Sequence, residues 1–279
     1  MAIKYSAVSL LIGALCASIA PGYAAPVNNI VLVHGAFADG SGWKGVADIL
    51  MAAGYKVSVV QHPETTLSDD VAATRRIIDM QGGPVVLVAH SYGGMIISEA
   101  GNHPQVKALV YVAALAGDSG EDPKVLRAMR PPVTTNIVQV GDGYIIRNPD
   151  SFPSDFAADL PSDVAKFMAI SQVPTSTKAL SAPVTTAAWR SKPSWYVVAT
   201  EDRIINPDLQ RLMAQRAKSK TTEIKGSHSV FISQPAAVVT GAESALVDVG
   251  TCEMAMNFAT SLGRSAAKSE GKLSGLRMM

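Results

Sequence analysis

Short β-branched runs alternate with stretches of helical periodicity between residues 28 and 249. Most of these runs are apolar at consecutive positions, as expected for strands that are buried on both faces. The six runs span residues 30–33, 56–60, 85–89, 108–112, 195–199 and 221–224. This alternation predicts an α/β fold, with a mainly parallel six-stranded sheet and helices on both of its faces.

The segments between these runs predict the covering helices. They span residues 43–53, 67–80, 93–103, 206–217 and 235–247. Gly54 follows the first of them, where a glycine often ends a helix by taking a left-handed conformation. We therefore expect residues 26–116 and 194–249 to form the two parts of one core.

Two stretches do not follow the alternation. Residues 117–193 carry nine prolines and show no regular strand–helix repeat. A structureless loop of that length is implausible inside a compact domain, so we predict an inserted helical lid, with one helix over residues 163–170. Residues 250–279 are rich in Ser, Gly, Lys and Ala, and we expect them to form a loosely ordered tail.

The amino-terminal segment, residues 1–25, has the pattern of a signal peptide. Lys4 precedes an apolar run over residues 7–20, and small residues follow where a signal peptidase cleaves, which we expect near Ala24 or Ala25. The run is shorter than the about 20 apolar residues that cross a bilayer. These features predict a periplasmic or secreted protein with no stable membrane insertion.

Composition excludes several other classes of function. The formal net charge is +1 and the 24 basic residues are scattered, so we expect no nucleic-acid partner. Cys16 and Cys252 are the only cysteines, and the first is lost with the signal peptide, so the mature chain has no internal disulfide. The sequence shows no Cys/His cluster at metal-ligand spacing, so we expect neither a metal nor a cofactor. We expect the protein to be a monomer or a homodimer.

The strongest chemical signal is a serine between a buried strand and an apolar helix. Ser91 has Ala89 two residues before it and Gly93 two residues after it. Small residues at these positions permit the sharp strand–turn–helix elbow that exposes a nucleophilic hydroxyl group. The alternative interpretation is an ordinary serine that caps the following helix.

The loop after the first predicted strand, His34-Gly35-Ala36-Phe37, can turn backbone N–H groups toward a cavity. A reaction that passes through a tetrahedral intermediate needs such donors where negative charge develops. We expect the N–H groups of Ala36 and Tyr92 to form this oxyanion hole, with Phe37 as the alternative to Ala36. We expect His34 to bond to the backbone and to transfer no proton.

A nucleophilic serine also needs a base and an acid that orients the base. In folds with this elbow, the order along the chain is serine, acid, histidine. Asp202 follows the predicted strand 195–199, and His228 follows the last predicted strand, 221–224. Since the carboxyl ends of parallel strands meet at one edge of the sheet, we predict Ser91, Asp202 and His228 as the catalytic residues.

Alternative residues for these roles are less well placed. Glu201 adjoins the predicted acid but projects differently, and Asp118, after the fourth strand, is a variant position of the acid in such folds. Of the other histidines, His62 and His103 fall in predicted surface loops or helix ends. His90, next to the nucleophile, points away from the pocket if the elbow forms.

These motifs resemble the α/β-hydrolase superfamily and, within it, a small serine esterase branch that includes plant methylesterases and hydroxynitrile lyases. The resemblance covers about residues 29–115 and 192–235 and implies the α/β-hydrolase fold. Lyase members of that branch carry a threonine at the position of Gly35 and a lysine at the position of Ser229. The resemblance therefore favours hydrolysis.

The resemblance and the predicted triad imply a serine hydrolase that acts on a small to medium, partly apolar carboxylic ester through an acyl-enzyme, without a cofactor. Phe37, Phe167 and Met168 are predicted to line its substrate pocket. The same triad also serves perhydrolases or haloperoxidases, carbon–carbon bond hydrolases and lactonases. A non-catalytic binding protein with this fold is the alternative from another class.

Overall fold

The computed structural model describes residues 27–249, and the predicted signal peptide and tail lie outside the described residues. The strands within this range are β1 Asn29–Val33, β2 Lys56–Val60, β3 Val85–His90, β4 Val106–Val112, β5 Ile137–Gly141, β6 Tyr144–Arg147, β7 Thr175–Ser176, β8 Ser194–Ala199 and β9 Lys220–Ile224. The helices are α1 Lys44–Ala52, α2 Leu67–Asp79, α3 Gly93–Ala100, α4 Pro123–Ala128, α5 Phe152–Phe156, α6 Ser162–Ile170, α7 Thr177–Ser181, α8 Pro207–Arg216, α9 Val230–Ser233 and α10 Pro235–Val249.

Six strands form the main sheet, in the order β2-β1-β3-β4-β8-β9, and every neighbouring pair is parallel. These are the six strands predicted from the apolar runs, and their bounds differ from the prediction by at most two residues. The helix after Ser91 ends at Ala100, three residues before its predicted end. Gly54 has the left-handed conformation expected after α1, with a φ of 95°.

The sheet separates two hydrophobic cores. Alternate residues of β1 belong to different cores, because successive side chains of a strand point to opposite faces. Val31 and Val33 pack with α2, α3 and α8, whereas Ile30 and Leu32 pack with α1 and α10. The α/β fold predicted from the alternation, with helices on both faces of a parallel sheet, is therefore confirmed.

The insertion between β4 and β8 contains strands as well as helices. Helices α4 to α7 accompany a three-stranded antiparallel sheet in the order β5-β6-β7, which the sequence analysis did not predict. Strand β5 reads Ile-Val-Gln-Val-Gly, a β-branched run, and is exposed at every position although it is apolar. The Asp142-Gly143 pair between β5 and β6 is a hairpin signal that could have revealed it. The predicted helix over residues 163–170 is present as α6.

None of the helices within residues 27–249 is both long enough and apolar enough to cross a membrane.

Candidate active site

Three polar side chains form a hydrogen-bonded chain at the carboxyl edge of the main sheet. Ser91 Oγ lies 2.8 Å from His228 Nε2, and His228 Nδ1 lies 2.7 Å from Asp202 Oδ2. Ser91 follows β3, Asp202 lies beyond the end of β8, and His228 lies beyond the end of β9. The parallel sheet therefore brings together residues that are 137 and 26 positions apart.

A strained turn positions Ser91 between β3 and α3. Its φ is 53°, in the left-handed region that non-glycine residues seldom occupy. The turn leaves no room for a side chain at position 93 or 94, because a Cβ on Gly93 would lie 2.5 Å from the carbonyl oxygen of His34, and one on Gly94 would lie 2.1 Å from that of Leu115. The packing thus explains why positions 93 and 94 are glycines.

Asp202 is held by donors other than His228. Its Oδ1 accepts hydrogen bonds from the backbone N–H groups of Ile204 and Ile205, at 2.8 and 2.9 Å. Its Oδ2 also accepts one from Gln210 Nε2 at 2.8 Å. The sequence analysis missed Gln210, a fully buried polar residue on α8, whose only signal is its position on the apolar face of that helix.

The alternative acids lie elsewhere. Glu201 forms an ion pair with Lys225 at the surface, with 3.6 Å between the charged atoms. Asp118 forms an ion pair with Arg190, and this pair lowers the pKa of Asp118. Among the described residues, Asp202 is the carboxylate that bonds to His228.

The insertion holds the loop that carries His228. The Oδ2 atom of Asp159 accepts hydrogen bonds from the backbone N–H of Ser227, at 3.0 Å, and from Ser233 Oγ, at 2.7 Å. The ring of Phe156 meets the His228 ring edge-on, with 4.7 Å between centroids. The position of the imidazole therefore depends on the insertion as well as on the sheet.

His90 also supports this loop from inside the core. As expected, it does not face the cavity: its Nε2 donates to the carbonyl oxygen of His228 at 2.8 Å. Burial, with the neighbouring His228, holds the pKa of His90 well below its usual value. His90 is thus a neutral structural residue near neutral pH.

The candidate oxyanion donors border the cavity next to Ser91. Ala36 and Tyr92 both line it. The alternative donor, Phe37, is engaged elsewhere, because its N–H donates to Glu64 Oε2 at 3.1 Å and to Thr175 Oγ1 at 3.0 Å. The N–H of Phe37 therefore has protein acceptors, and the assignment of the oxyanion hole to Ala36 and Tyr92 stays a prediction.

A buried polar cluster lies behind these donors and corrects one prediction. His62, expected in a surface loop, is buried and stacks on His34, with ring centroids 3.7 Å apart. His34 Nδ1 lies 2.9 Å from the carbonyl oxygen of Gly35, and burial together with His62 lowers the pKa of His34 to about 3. His34 therefore remains neutral, as expected of a structural residue.

Acidic residues complete this cluster. Asp70 Oδ2 accepts a hydrogen bond from the hydroxyl group of Tyr92 at 2.7 Å, and its Oδ1 accepts one from the backbone N–H of Glu64 at 2.8 Å. Burial raises the pKa of Glu64 to about 8. The two loops that carry Phe37 and Tyr92 are thus connected through one buried pair of acidic residues.

The geometry of this cluster does not suit a metal ion. His34, His62 and Glu64 each have a potential ligand atom within 4.8 Å of the others. The two imidazole rings, however, are nearly parallel, at 13°. A metal ion binds in the plane of an imidazole ring, so one ion cannot lie in both stacked planes unless a ring rotates. The cluster is better explained as hydrogen-bonded support for the adjacent loops.

Ser91 opens into a cavity of about 250 Å³, and the predicted substrate residues divide between this cavity and another. Phe37 lines the cavity with Ser91, but it also lines a second cavity of about 240 Å³. That Phe37, Phe167 and Met168 line the substrate pocket stays a prediction, because Phe167 and Met168 line the second cavity and not the first. The reason is that α6, which carries both residues, packs against α5.

The comparison with known families agrees with this fold. A model described as "Alpha/beta hydrolase family" matches residues 30–241, a range that includes all three hydrogen-bonded residues. The chain belongs to the alpha/beta hydrolase family. The superfamily expected from the sequence motifs is thereby confirmed.

This alpha/beta hydrolase is 26% identical over 243 residues to "Alpha/beta hydrolase nvfD" of Aspergillus novofumigatus (strain IBT 16806), which covers 75% of this chain and 93% of that protein. It is 32% identical over 126 residues to a carbendazim hydrolyzing esterase of Nocardioides sp. (strain SG-4G), which covers 39% of this chain and 52% of that protein. Its fold is similar to that of a methylesterase from Arabidopsis, with a TM-score of 0.66 and 18% identity over 79% of this chain and 99% of the other.

Proposed function

We propose that this protein is a serine hydrolase that cleaves carboxylic esters. The observation that carries the proposal is the hydrogen-bonded chain from Ser91 through His228 to Asp202, with distances of 2.8 and 2.7 Å. Such a chain allows the serine proton to move to the imidazole as the oxygen attacks. The similarity to a protein named as an esterase supports ester bonds as the target.

In the proposed reaction, Ser91 Oγ attacks the ester carbonyl carbon while its proton moves to His228 Nε2. Asp202 stabilises the imidazolium ion, and the N–H groups of Ala36 and Tyr92 bind the oxyanion, each contributing about 3 kcal/mol in the transition state. His228 then transfers the proton to the departing alcohol, which leaves an acyl group on Ser91. Water attacks this acyl-enzyme by the same route, releases the acid and restores the serine.

The size of the cavity supports a small substrate. Its volume of about 250 Å³ lies just below the roughly 300–1,000 Å³ of pockets for drug-sized ligands. Apolar side chains such as Leu115, Ile145 and Ile205 form much of its wall. We infer that the substrate is a short ester with an apolar portion.

The test of this proposal is the hydrolysis of p-nitrophenyl acetate and butyrate by the wild-type protein and by Ser91→Ala. We expect the variant to lose at least about a thousandfold in kcat, because the nucleophile acts as a unit with its base. Ser191→Ala is the control and should retain full activity, because Ser191 is exposed and precedes β8, whereas Asp202 lies beyond the other end of that strand. Circular dichroism should show the same folded spectrum for all three proteins. Undiminished hydrolysis by folded Ser91→Ala would contradict the proposal.

We also propose that the protein works outside the cytoplasm after cleavage near Ala24 or Ala25. The support is the positive, then apolar, then small-residue pattern of residues 1–25. Amino-terminal sequencing of the protein isolated from its native cells tests this proposal. A mature chain that begins near Ala25 supports export, and a folded chain that retains Met1 contradicts it.

A further inference from the structure

Arg147 places a positive charge in the wall of the cavity that contains Ser91. It ends β6, is only 6% exposed and lines the same space of about 250 Å³. Its Nε and Nη2 atoms are fully enclosed and have no hydrogen-bond partner among residues 27–249. Buried charges are normally paired, because removal from water is costly. A guanidinium group without a hydrogen-bond partner, in the same cavity as Ser91, is therefore unusual.

The acidic groups whose charges act on Arg147 are occupied by other donors. Asp155 Oδ2 accepts hydrogen bonds from Thr134 and Asn136, at 2.8 and 2.9 Å. The carboxylate of Asp202 accepts the four hydrogen bonds described above. Burial lowers the pKa of Arg147, and the two carboxylates oppose this effect. Residues 27–249 thus balance the charge only in part and supply no acceptor for the enclosed N–H groups.

A second cation faces the same space. Arg127 also lines the cavity, and its Nη1 donates to the carbonyl oxygen of Leu180 at 3.3 Å, a long contact. No acidic residue is among the described residues that line this cavity. The space next to Ser91 therefore combines apolar walls with two arginines and an excess of positive charge.

We propose that the substrate of Ser91 is an ester that also carries an ionised carboxylate, which Arg147 binds with the help of Arg127. This inference rests on the proposed ester hydrolysis. A carboxylate in the cavity supplies the missing negative charge to the guanidinium group, and pairs of arginine with carboxylate are strong in water-poor surroundings. Since one small cavity contains both the serine and the arginines, the ester and the carboxylate belong to the same short molecule, such as the half-ester of a dicarboxylic acid.

Two methyl esters of nearly equal size test the preference. Monomethyl succinate carries a carboxylate where methyl levulinate carries an acetyl group, and a pH-stat follows the acid released from each. We expect the wild-type kcat/KM to be at least about tenfold higher for monomethyl succinate. Arg147→Gln should lower the ratio of the two kcat/KM values at least about tenfold, and Arg147→Lys should retain part of it because the charge remains. Arg76→Gln, which removes one exposed positive charge from α2, is the matched control and should leave the ratio unchanged.

A binding measurement separates this inference from the proposed reaction. Isothermal titration calorimetry on Ser91→Ala, which cannot turn over the ester, should detect monomethyl succinate and not methyl levulinate. The double variant Ser91→Ala/Arg147→Gln should lose this binding while its melting temperature shows that it is folded. Binding without turnover in the wild-type protein would support the carboxylate site and contradict ester hydrolysis.

Ester hydrolysis without a preference for the carboxylate would overturn the carboxylate site alone. If the wild-type protein hydrolyses p-nitrophenyl esters through Ser91 but shows equal kcat/KM values for the two methyl esters, ester hydrolysis stands and the carboxylate site is wrong. An unchanged ratio in folded Arg147→Gln, or equal binding of both esters to Ser91→Ala, would also overturn the site.

Discussion

The side chain of Glu64 accepts a hydrogen bond from the backbone N–H of Phe37, at 3.1 Å, in the interior of the protein. Phe37 has a φ of 65°, a left-handed conformation that a bulky residue adopts only with support. Thr175 Oγ1 donates to Glu64 and accepts from Phe37 N–H at 3.0 Å. Because Ala36 directly precedes Phe37, these contacts position the loop that the proposed reaction uses.

Glu64 should make the stability of the protein depend on pH. Burial raises its pKa from 4.5 to about 8, so the folded protein holds a proton that the unfolded chain releases above pH 4.5. The stability that this proton contributes is fully present below pH 4.5 and is lost as the pH rises through about 8. Each unit of pKa shift corresponds to about 1.4 kcal/mol, so we expect a loss of a few kcal/mol.

Glu64→Gln, which mimics the protonated acid, should remove this decline, and melting temperatures between pH 5 and 9 measure it. Glu223→Gln is the control, because Glu223 is an exposed carboxylate whose pKa is lowered by Arg211. Parallel pH profiles for the wild type and Glu64→Gln would show that Glu64 does not carry the buried proton.

Thr175→Val should impair catalysis through the position of the oxyanion loop. The substitution keeps the shape of the side chain but removes the hydroxyl group that contacts both Glu64 and Phe37. We expect kcat on p-nitrophenyl butyrate to fall about tenfold with little change in KM, since about 1.4 kcal/mol of transition-state stabilisation is lost. Thr177→Val, at an exposed position two residues later, should behave as the wild type. A rise in KM at constant kcat would place the effect in substrate binding instead.

Gln210→Leu should weaken the orientation of the proposed catalytic acid. Gln210 Nε2 donates to Asp202, and its Oε1 accepts from the backbone N–H of Ala199 at 3.0 Å. Leucine removes one of the four donors to Asp202 and takes the acceptor away from the Ala199 N–H. A buried group left unsatisfied costs about 1–3 kcal/mol. We expect a lower melting temperature together with a roughly tenfold or larger loss in kcat. Gln215→Leu, on the exposed face of α8, is the comparison, and equal kcat values for the two variants would refute a positioning role for Gln210.

Gly94→Ala should destabilise the protein far more than Gly54→Ala. A Cβ on Gly94 would lie 2.1 Å from the carbonyl oxygen of Leu115, so the backbone itself must move. We expect a loss of about 3 kcal/mol or more in the free energy of unfolding. Gly54, with a φ of 95° and open space around it, should lose only the about 1–2 kcal/mol of a left-handed alanine. Urea denaturation measures both, and similar losses would show that the elbow tolerates a side chain.

The amino-acid sequence alone determined the sheet and the three residues of the hydrogen-bonded chain. Strands β1, β3, β4 and β8 are recognisable because apolar residues fill most of their positions, whereas the more polar β2 and β9 are recognisable from the alternation with helices. The serine elbow is recognisable because its small neighbours are local in sequence, and the order of Ser91, Asp202 and His228 follows the order of the strands. Local sequence patterns were sufficient to predict an element wherever its residues are uniformly buried.

Only the tertiary structure decided what surrounds these residues. Phe37 and Thr175 are 138 positions apart, and no local pattern indicates that an acidic residue between them, Glu64, is buried against both. Arg147 ends the strand next to β5, whose apolar residues are exposed, so the sequence pattern of this small sheet does not tell which residues face the cavity. The physical reason is that burial and pairing of polar groups depend on which distant segments pack together. The periodicity of apolar residues along the chain indicates only which face of each helix or strand is buried, and not which distant segment packs against it.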